Sequence, residues 1–119
     1  MLDIYDLIHQ IRAKPGLYIG SVSLSSLNMF LNGYQFARRQ LKLPLSHQEQ
    51  EFREFQPWLQ SYLNMQTTQS WSNMILMQAA DEADAFARFF TLFDLFLQEQ
   101  RNQLQTNGQT TSVKEARQS

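Results

Sequence analysis

The residues best suited to chemistry in this chain are carboxylates, which fall into three groups. The first group is Asp3 and Asp6. The second is Glu49, Glu51 and Glu54, and the third is Asp81, Glu82 and Asp84. Paired carboxylates can act as general acid and base. All three groups lie where predicted helices begin, however, and there helix capping and the helix dipole already account for them.

A second role for these carboxylates is recognition, because exposed acidic groups attract a basic partner. Glu49, Glu51 and Glu54 fall within six residues on a predicted exposed turn. The sequence therefore predicts that the second and third groups bind a partner protein: Glu49, Glu51, Glu54, Asp81, Glu82 and Asp84.

Other catalytic residue types are sparse. His9 and His47 are far apart in sequence, and neither has ligand partners at the short helical spacing of a metal site. The absence of cysteine excludes disulfides, thiolate zinc sites and cysteine nucleophiles. No G-x-S-x-G turn supports a serine nucleophile. We expect a protein that is not an enzyme and has no cofactor and no bound metal.

A glycine-containing motif offers an alternative. The segment from Arg12 to Gly20 reads RAKPGLYIG. It resembles the segment R-x-R-P-G-M-Y-I-G near the start of the ATPase domain in the gyrase B family, which implies an ATP-binding α/β domain. The resemblance stops at Gly20, and no glycine-rich loop that could cradle phosphates follows. One alternative for the function is therefore an enzyme that binds or hydrolyses nucleotide at the Lys14-Pro15-Gly16 turn.

The elements that must position these residues are helical. The stretch 84–97 reads DAFARFFTLFDLFL, and its phenylalanines recur at steps of three and four: Phe86, Phe89, Phe90, Phe93 and Phe96. This is the period of one helix face, and so apolar a helix must be covered on most sides. We predict an all-α, single-domain bundle of about five helices, residues 1–104, around this C-terminal helix. The polar, aperiodic residues 105–119 are predicted to form a flexible tail.

Apolar periodicity and capping residues predict further helices at 2–13 and 24–41. A helix at 46–55 is followed by a second one with Pro57 in its first turn, to about residue 63, and a single helix kinked at Pro57 is the alternative. A helix is also predicted at 70–80, where a buried strand is the alternative. Residues 17–20 are predicted to be a short extended piece. Gly33 falls inside the second helix, where glycine costs about 1 kcal/mol relative to alanine. We expect this cost to be offset by close approach of another helix, the first one.

Composition limits the partners. The 119 residues form one domain, and their net charge of −1 argues against a nucleic-acid partner, which selects a basic surface. No stretch approaches the ~20 apolar residues of a membrane helix, and no basic leader precedes an apolar run. We therefore expect a cytoplasmic protein with no membrane partner. We also expect it to be a monomer or a weak homodimer.

An ordered set of motifs covers residues 4–97. K-P-G-L-Y-I-G is followed by S-L-x-x-L-x-x-F-L-x-G-Y, F-x-x-F-x-x-W-L, Trp71 and A-F-x-x-F-F-x-L-x-x-x-F. This order resembles a group of small bacterial proteins, in which Arg and Met commonly stand at the positions of Lys14 and Leu17. Some of that group are regarded as immunity proteins of contact-dependent inhibition systems. The resemblance implies a non-catalytic protein that neutralises a cognate toxin domain. The alternative within the binding class is a helical adaptor module without a toxin partner.

Overall fold

The computed structural model describes the backbone of residues 1–118 and the side chains of residues 1–105. Within that range the chain has no strand and seven helices: α1 Ile4–Ala13, α2 Pro15–Ile19, α3 Leu24–Gln40, α4 His47–Arg53, α5 Phe55–Tyr62, α6 Trp71–Gln78 and α7 Glu82–Gln118. The all-α, single-domain bundle is confirmed. The predicted flexible tail, 105–119, lies almost wholly outside the residues whose side chains are described, and its flexibility stays a prediction.

The helices begin where the sequence supplies capping oxygens. Asp3 Oδ1 accepts the Ile4 N–H at 2.8 Å, and Ser23 Oγ accepts the Ser26 N–H at 3.2 Å. Ser46 and Glu49 form a reciprocal capping box at the start of α4. These caps satisfy N–H groups that have no partner inside the helix, and so each helix starts at a defined residue.

The segment after Pro15 is helical, which corrects the predicted extended piece. Pro15 occupies the first position of α2, where its fixed φ suits a helix and its missing N–H costs nothing. Gly20 ends the helix with a φ of 79°, a left-handed conformation that glycine adopts without strain. Tyr18 anchors this turn, because its ring packs against Phe30 at 6.5 Å and its hydroxyl donates to Gln10 Oε1 at 2.7 Å.

The middle of the chain follows the predicted breaks. One helix ends at Arg53 and the next begins at Phe55, with Pro57 in its first turn as predicted. The ambiguous segment 70–80 contains helix α6, and Ser70 Oγ accepts the Asn73 N–H at its start. No helix in the described part of the chain combines the length and apolarity needed to cross a bilayer.

The core is aromatic, and α7 runs through it as predicted. The phenylalanines of α7 are all buried: Phe86, Phe89, Phe90, Phe93 and Phe96. Phe55, from α5, is fully buried at the centre. Its ring lies between 5.4 and 6.2 Å, centroid to centroid, from six other rings: Phe52, Trp58, Trp71, Phe89, Phe93 and Phe96. This network fixes α4, α5, α6 and α7 against one another.

Candidate protein-binding site

The predicted acidic turn is not a continuous exposed surface, because Glu49 is buried. Its side chain is 3% exposed, and Oε1 accepts hydrogen bonds from Arg38 Nε at 2.7 Å and from the Ser46 N–H at 3.2 Å. The reason is local: the carboxylate that completes the α4 capping box points back toward α3, where Arg38 meets it. The expectation of three exposed carboxylates on this turn was wrong at this position.

Glu51 is also engaged inside the protein. Its side chain is 21% exposed and accepts hydrogen bonds from the Tyr5 hydroxyl at 2.9 Å and from Arg101 Nη1 at 2.9 Å. Burial, and then the adjacent Glu51 carboxylate, raise the pKa of Tyr5 above its ordinary value. Of the three glutamates, only Glu54 is exposed to solvent.

The second acidic group holds the start of two helices. Glu82 accepts from the Ser25 hydroxyl at 2.5 Å and from the Ser25 N–H at 2.9 Å, which ties α7 to the first turn of α3. These two hydrogen bonds, in that order, lower the pKa of Glu82. Asp81 accepts the Asp84 N–H at 2.8 Å. The Ala80 N–H and then Arg88 lower the pKa of Asp84.

The structure therefore separates the six predicted residues rather than joining them into one surface. Glu49, Glu51 and Glu82 connect helices, Asp81 and Asp84 order the start of α7, and Glu54 stands alone. The six lie in two regions: Glu49, Glu51 and Glu54 in α4 and just after it, and the other three at the start of α7. Among residues 1–105, no three His, Asp or Glu side chains converge as the ligands of a metal ion would.

An apolar surface with two large exposed side chains lies on α3. We call it the α3 face and define it by four residues: Met29, Gly33, Phe36 and Ala37. Met29 is 73% exposed and Phe36 is 56% exposed. Because they lie seven residues apart, both project from the same side of the helix. The opposite side of α3 supplies Leu24, Leu27 and Leu31 to the core.

Gly33 lies at the middle of this face and is not covered by another helix. Among the described residues, no neighbouring heavy atom lies within 4 Å of the position that a Cβ would take, apart from the helix itself. The expectation that α1 approaches closely at Gly33 was wrong. The helix therefore carries a destabilising glycine at a solvent-exposed position without any contact inside the protein that requires it.

A groove runs beside the α3 face. It has a volume of about 470 Å³ and an apolar lining: Met1, Leu2, Leu7, Met29, Phe30, Gly33 and Tyr34. The N-terminal residues form one wall, because the Tyr34 hydroxyl donates to the Leu2 carbonyl. A second groove of about 430 Å³ continues past Met29 and Phe30 to Ile19 and Ser25. Continuous apolar surface of this kind is typical of protein-binding sites.

Positive charge borders the C-terminal end of the face. Arg39 and Lys42 are exposed. The ion pairs formed among residues 1–105 use other cations: Arg12, Arg38, Arg88 and Arg101. The α3 face thus combines a central apolar region with cations at one end.

Sequence reasoning missed this surface, although a signal for it exists. Met29, Gly33 and Phe36 are spaced by four and three residues, which is a second apolar stripe on the same helix as Leu24, Leu27 and Leu31. A helix with apolar residues on two opposite sides is either buried all round or leaves one apolar side exposed. The structure shows that α3 does the latter.

Comparison of the chain with protein-family models, with curated proteins and with solved structures found no match.

Proposed function

We propose that this chain is a non-catalytic immunity protein of the bacterial cytoplasm, which binds a cognate toxin domain and blocks it. The resemblance across residues 4–97 suggests the biological role. The observation that best supports a binding function is the exposed α3 face, where Met29 is 73% and Phe36 is 56% exposed. Fully burying an exposed side chain of this kind contributes roughly 1.5–3 kcal/mol, and folding of this chain leaves more than half of that gain unused.

The α3 face replaces the acidic residues as the proposed contact surface. Five of the six predicted carboxylates already have partners within the fold, and the six do not join into one acidic surface that a toxin could cover. The α3 face has no such conflict, because Phe36 and Met29 protrude and Gly33 leaves room between them. Protruding apolar anchors beside a groove commonly supply most of the binding energy at an interface.

The inhibition that we propose is stoichiometric. A scaffold with an aromatic core holds the side chains of the α3 face in place, so no refolding of the chain itself adds to the entropic cost of binding. The bound toxin would lose access to its substrate because the immunity protein covers its surface. Arg39 and Lys42 at the end of the face would favour a toxin surface that carries carboxylates beside an apolar ridge.

A growth-protection experiment tests this proposal. In the arrangement typical of immunity genes, the toxin gene lies directly upstream. The product of the gene upstream of this one is expressed in bacteria with and without this chain. We expect that product to arrest growth alone, the chain to restore growth, and the two proteins to co-purify at equal stoichiometry. Growth arrest that persists when the chain is present would contradict the immunity function.

The alternative is an adaptor module without a toxin partner, for which the same apolar face would dock a different protein. Growth protection separates the two functions, because an adaptor relieves no toxicity. Under the adaptor function the upstream product is harmless alone, while a variant such as Phe36→Asp still disrupts binding to another protein.

A further inference from the structure

We infer that two copies of this chain pair through the α3 face, with the two α3 helices antiparallel and crossing at Gly33. The inference does not rest on the toxin-binding function. A pair of this kind covers the same face that the toxin would use, and so the two states exclude one another. The free protein is then a dimer that a partner must dissociate.

The sizes of the side chains on α3 match this arrangement. When a two-fold axis passes through Gly33, each residue lies opposite the one at equal distance on the other side of Gly33. Met29 then faces Ala37 of the second copy, and Phe36 faces Phe30. In the first pair the large side chain of Met29 meets the small one of Ala37, and in the second pair two aromatic rings meet. The two glycines allow the backbones to approach at the centre. Interdigitation of this kind is what close helix packing requires.

The charges match the same register. Arg39 lies six residues after Gly33, about 9 Å along the helix, and Ser25 lies eight residues before it, about 12 Å. Arg39 and Ser25 share one flank of α3, because fourteen residues bring the helix back to within about 40°. Ser25 holds the Glu82 carboxylate through hydrogen bonds of 2.5 and 2.9 Å. Arg39 of one copy therefore approaches Glu82 of the other.

The Glu82 carboxylate accepts three hydrogen bonds from Ser23 and Ser25 of its own chain, and one of its roughly four lone-pair sites is left for Arg39. Within residues 1–105, neither Arg39 nor Glu82 belongs to an ion pair of its own chain. A parallel pair would instead place Arg39 beside Arg39 and Glu82 beside Glu82, which is repulsive. The antiparallel contact is also self-complementary, so it closes at two copies and does not propagate into a filament.

The absence of cysteine from the chain allows a direct test by single-cysteine cross-linking. Gly33→Cys places a thiol on the two-fold axis, where the close backbones bring two α-carbons within the ~4.4–6.8 Å that a disulfide needs. A Cβ fits at this position within the monomer. Under mild oxidation we expect Gly33→Cys to form a covalent dimer. The control variant Met77→Cys, at a similarly exposed methionine of α6, should remain monomeric.

Two further variants establish the register. A mixture of Met29→Cys and Ala37→Cys should cross-link between the two proteins, whereas Met29→Cys alone should not cross-link with itself. Self-cross-linking of Met29→Cys without the mixed product would indicate a parallel pair and overturn the inference.

Sedimentation of the unmodified protein tests the pairing without any substitution. We expect a concentration-dependent mass that rises toward that of two chains. The dissociation constant of the dimer should be at least about tenfold higher for Phe36→Asp than for Met77→Asp. A single-chain mass over a hundredfold range of concentration would overturn the dimer. If that monomer still bound the upstream gene product, the toxin-binding function would stand without the dimer. A dimer that gave no growth protection would support the pairing and contradict the immunity function.

Discussion

Arg38 and Glu49 form a shielded ion pair that joins α3 to the first turn of α4. Arg38 Nε lies 2.7 Å from Glu49 Oε1, and the two side chains are 14% and 3% exposed. Arg38 Nη2 also donates to the Pro44 carbonyl at 3.0 Å, and Glu49 accepts the Ser46 N–H at 3.2 Å. One interaction therefore closes the connection between the two helices and completes the capping box.

Removing the Glu49 carboxylate should destabilise the fold. Glu49→Ala leaves Arg38 without its partner in a largely buried position, and we expect a loss of about 3 kcal/mol in the free energy of unfolding. Urea denaturation measures this loss. The matched control is Glu54→Ala, at an exposed glutamate five residues further on, which should change stability by less than about 0.5 kcal/mol. Equal effects of the two substitutions would show that Glu49 has no structural role.

Stability should fall in acid because of Glu82. The hydrogen bonds from the Ser25 hydroxyl and N–H lower the pKa of Glu82 in the folded state below its ordinary value of 4.5. A depressed folded-state pKa contributes stability that is present above pH 4.5 and is lost as the pH falls through the folded-state pKa. Asp84 contributes in the same direction, because the Ala80 N–H and Arg88 lower its pKa.

Thermal melts between pH 7 and pH 2 measure this dependence. Glu82→Gln should lower the melting temperature at pH 7 and flatten the decline in acid, since the substituted side chain no longer titrates. Glu54→Gln, at an exposed carboxylate, should leave the profile unchanged. A Glu82→Gln profile parallel to that of the unmodified protein would contradict the assigned role of Glu82.

Gly33→Ala should separate stability from binding. Alanine is the better helix former, and no described side chain lies near the new Cβ, so we expect a gain of about 0.5–1 kcal/mol in the free energy of unfolding. The same methyl group lies at the centre of the α3 face and should weaken binding there. Chemical denaturation at low protein concentration and a binding assay test both halves. Loss of stability would mean that Gly33 serves the fold.

Phe55→Ala should be the most damaging of these substitutions. The ring of Phe55 is fully buried and contacts aromatic side chains of α5, α6 and α7. We expect a loss of about 3–5 kcal/mol, a large share of the ~5–15 kcal/mol that stabilises a domain. Phe36→Ala, at an exposed phenylalanine, provides the control and should cost less than about 0.5 kcal/mol at protein concentrations too low for pairing. A similar cost at both positions would contradict the assignment of Phe55 to the core.

The fold could be predicted because its local signals agree with the tertiary structure. The three-and-four spacing of the α7 phenylalanines, the serine caps and Pro57 each specify a helix boundary or a buried side through contacts near in sequence. The α2 helix was missed because it is only five residues long and depends on Pro15 at its start and Gly20 at its end. A helix that short has no periodicity to detect.

The candidate site was harder to predict, because its features depend on contacts far apart in sequence. Glu49 reads as one of three exposed acids until Arg38 is placed beside it by the packing of α3 on α4. Gly33 reads as a site of close packing until the neighbouring helices are seen to leave it open. Met29 and Phe36 have the spacing of a core stripe, and only the whole bundle shows which side of α3 faces solvent.

We propose that the α3 face, rather than the acidic residues, binds the partner protein. The most direct measurement is the affinity of three variants for the purified product of the upstream gene: Phe36→Asp, Met77→Asp and Glu54→Lys. We predict that Phe36→Asp weakens binding at least about a hundredfold, about 2.7 kcal/mol, whereas Met77→Asp and Glu54→Lys bind like the unmodified protein. Unchanged affinity of Phe36→Asp together with loss of binding in Glu54→Lys would contradict the claim.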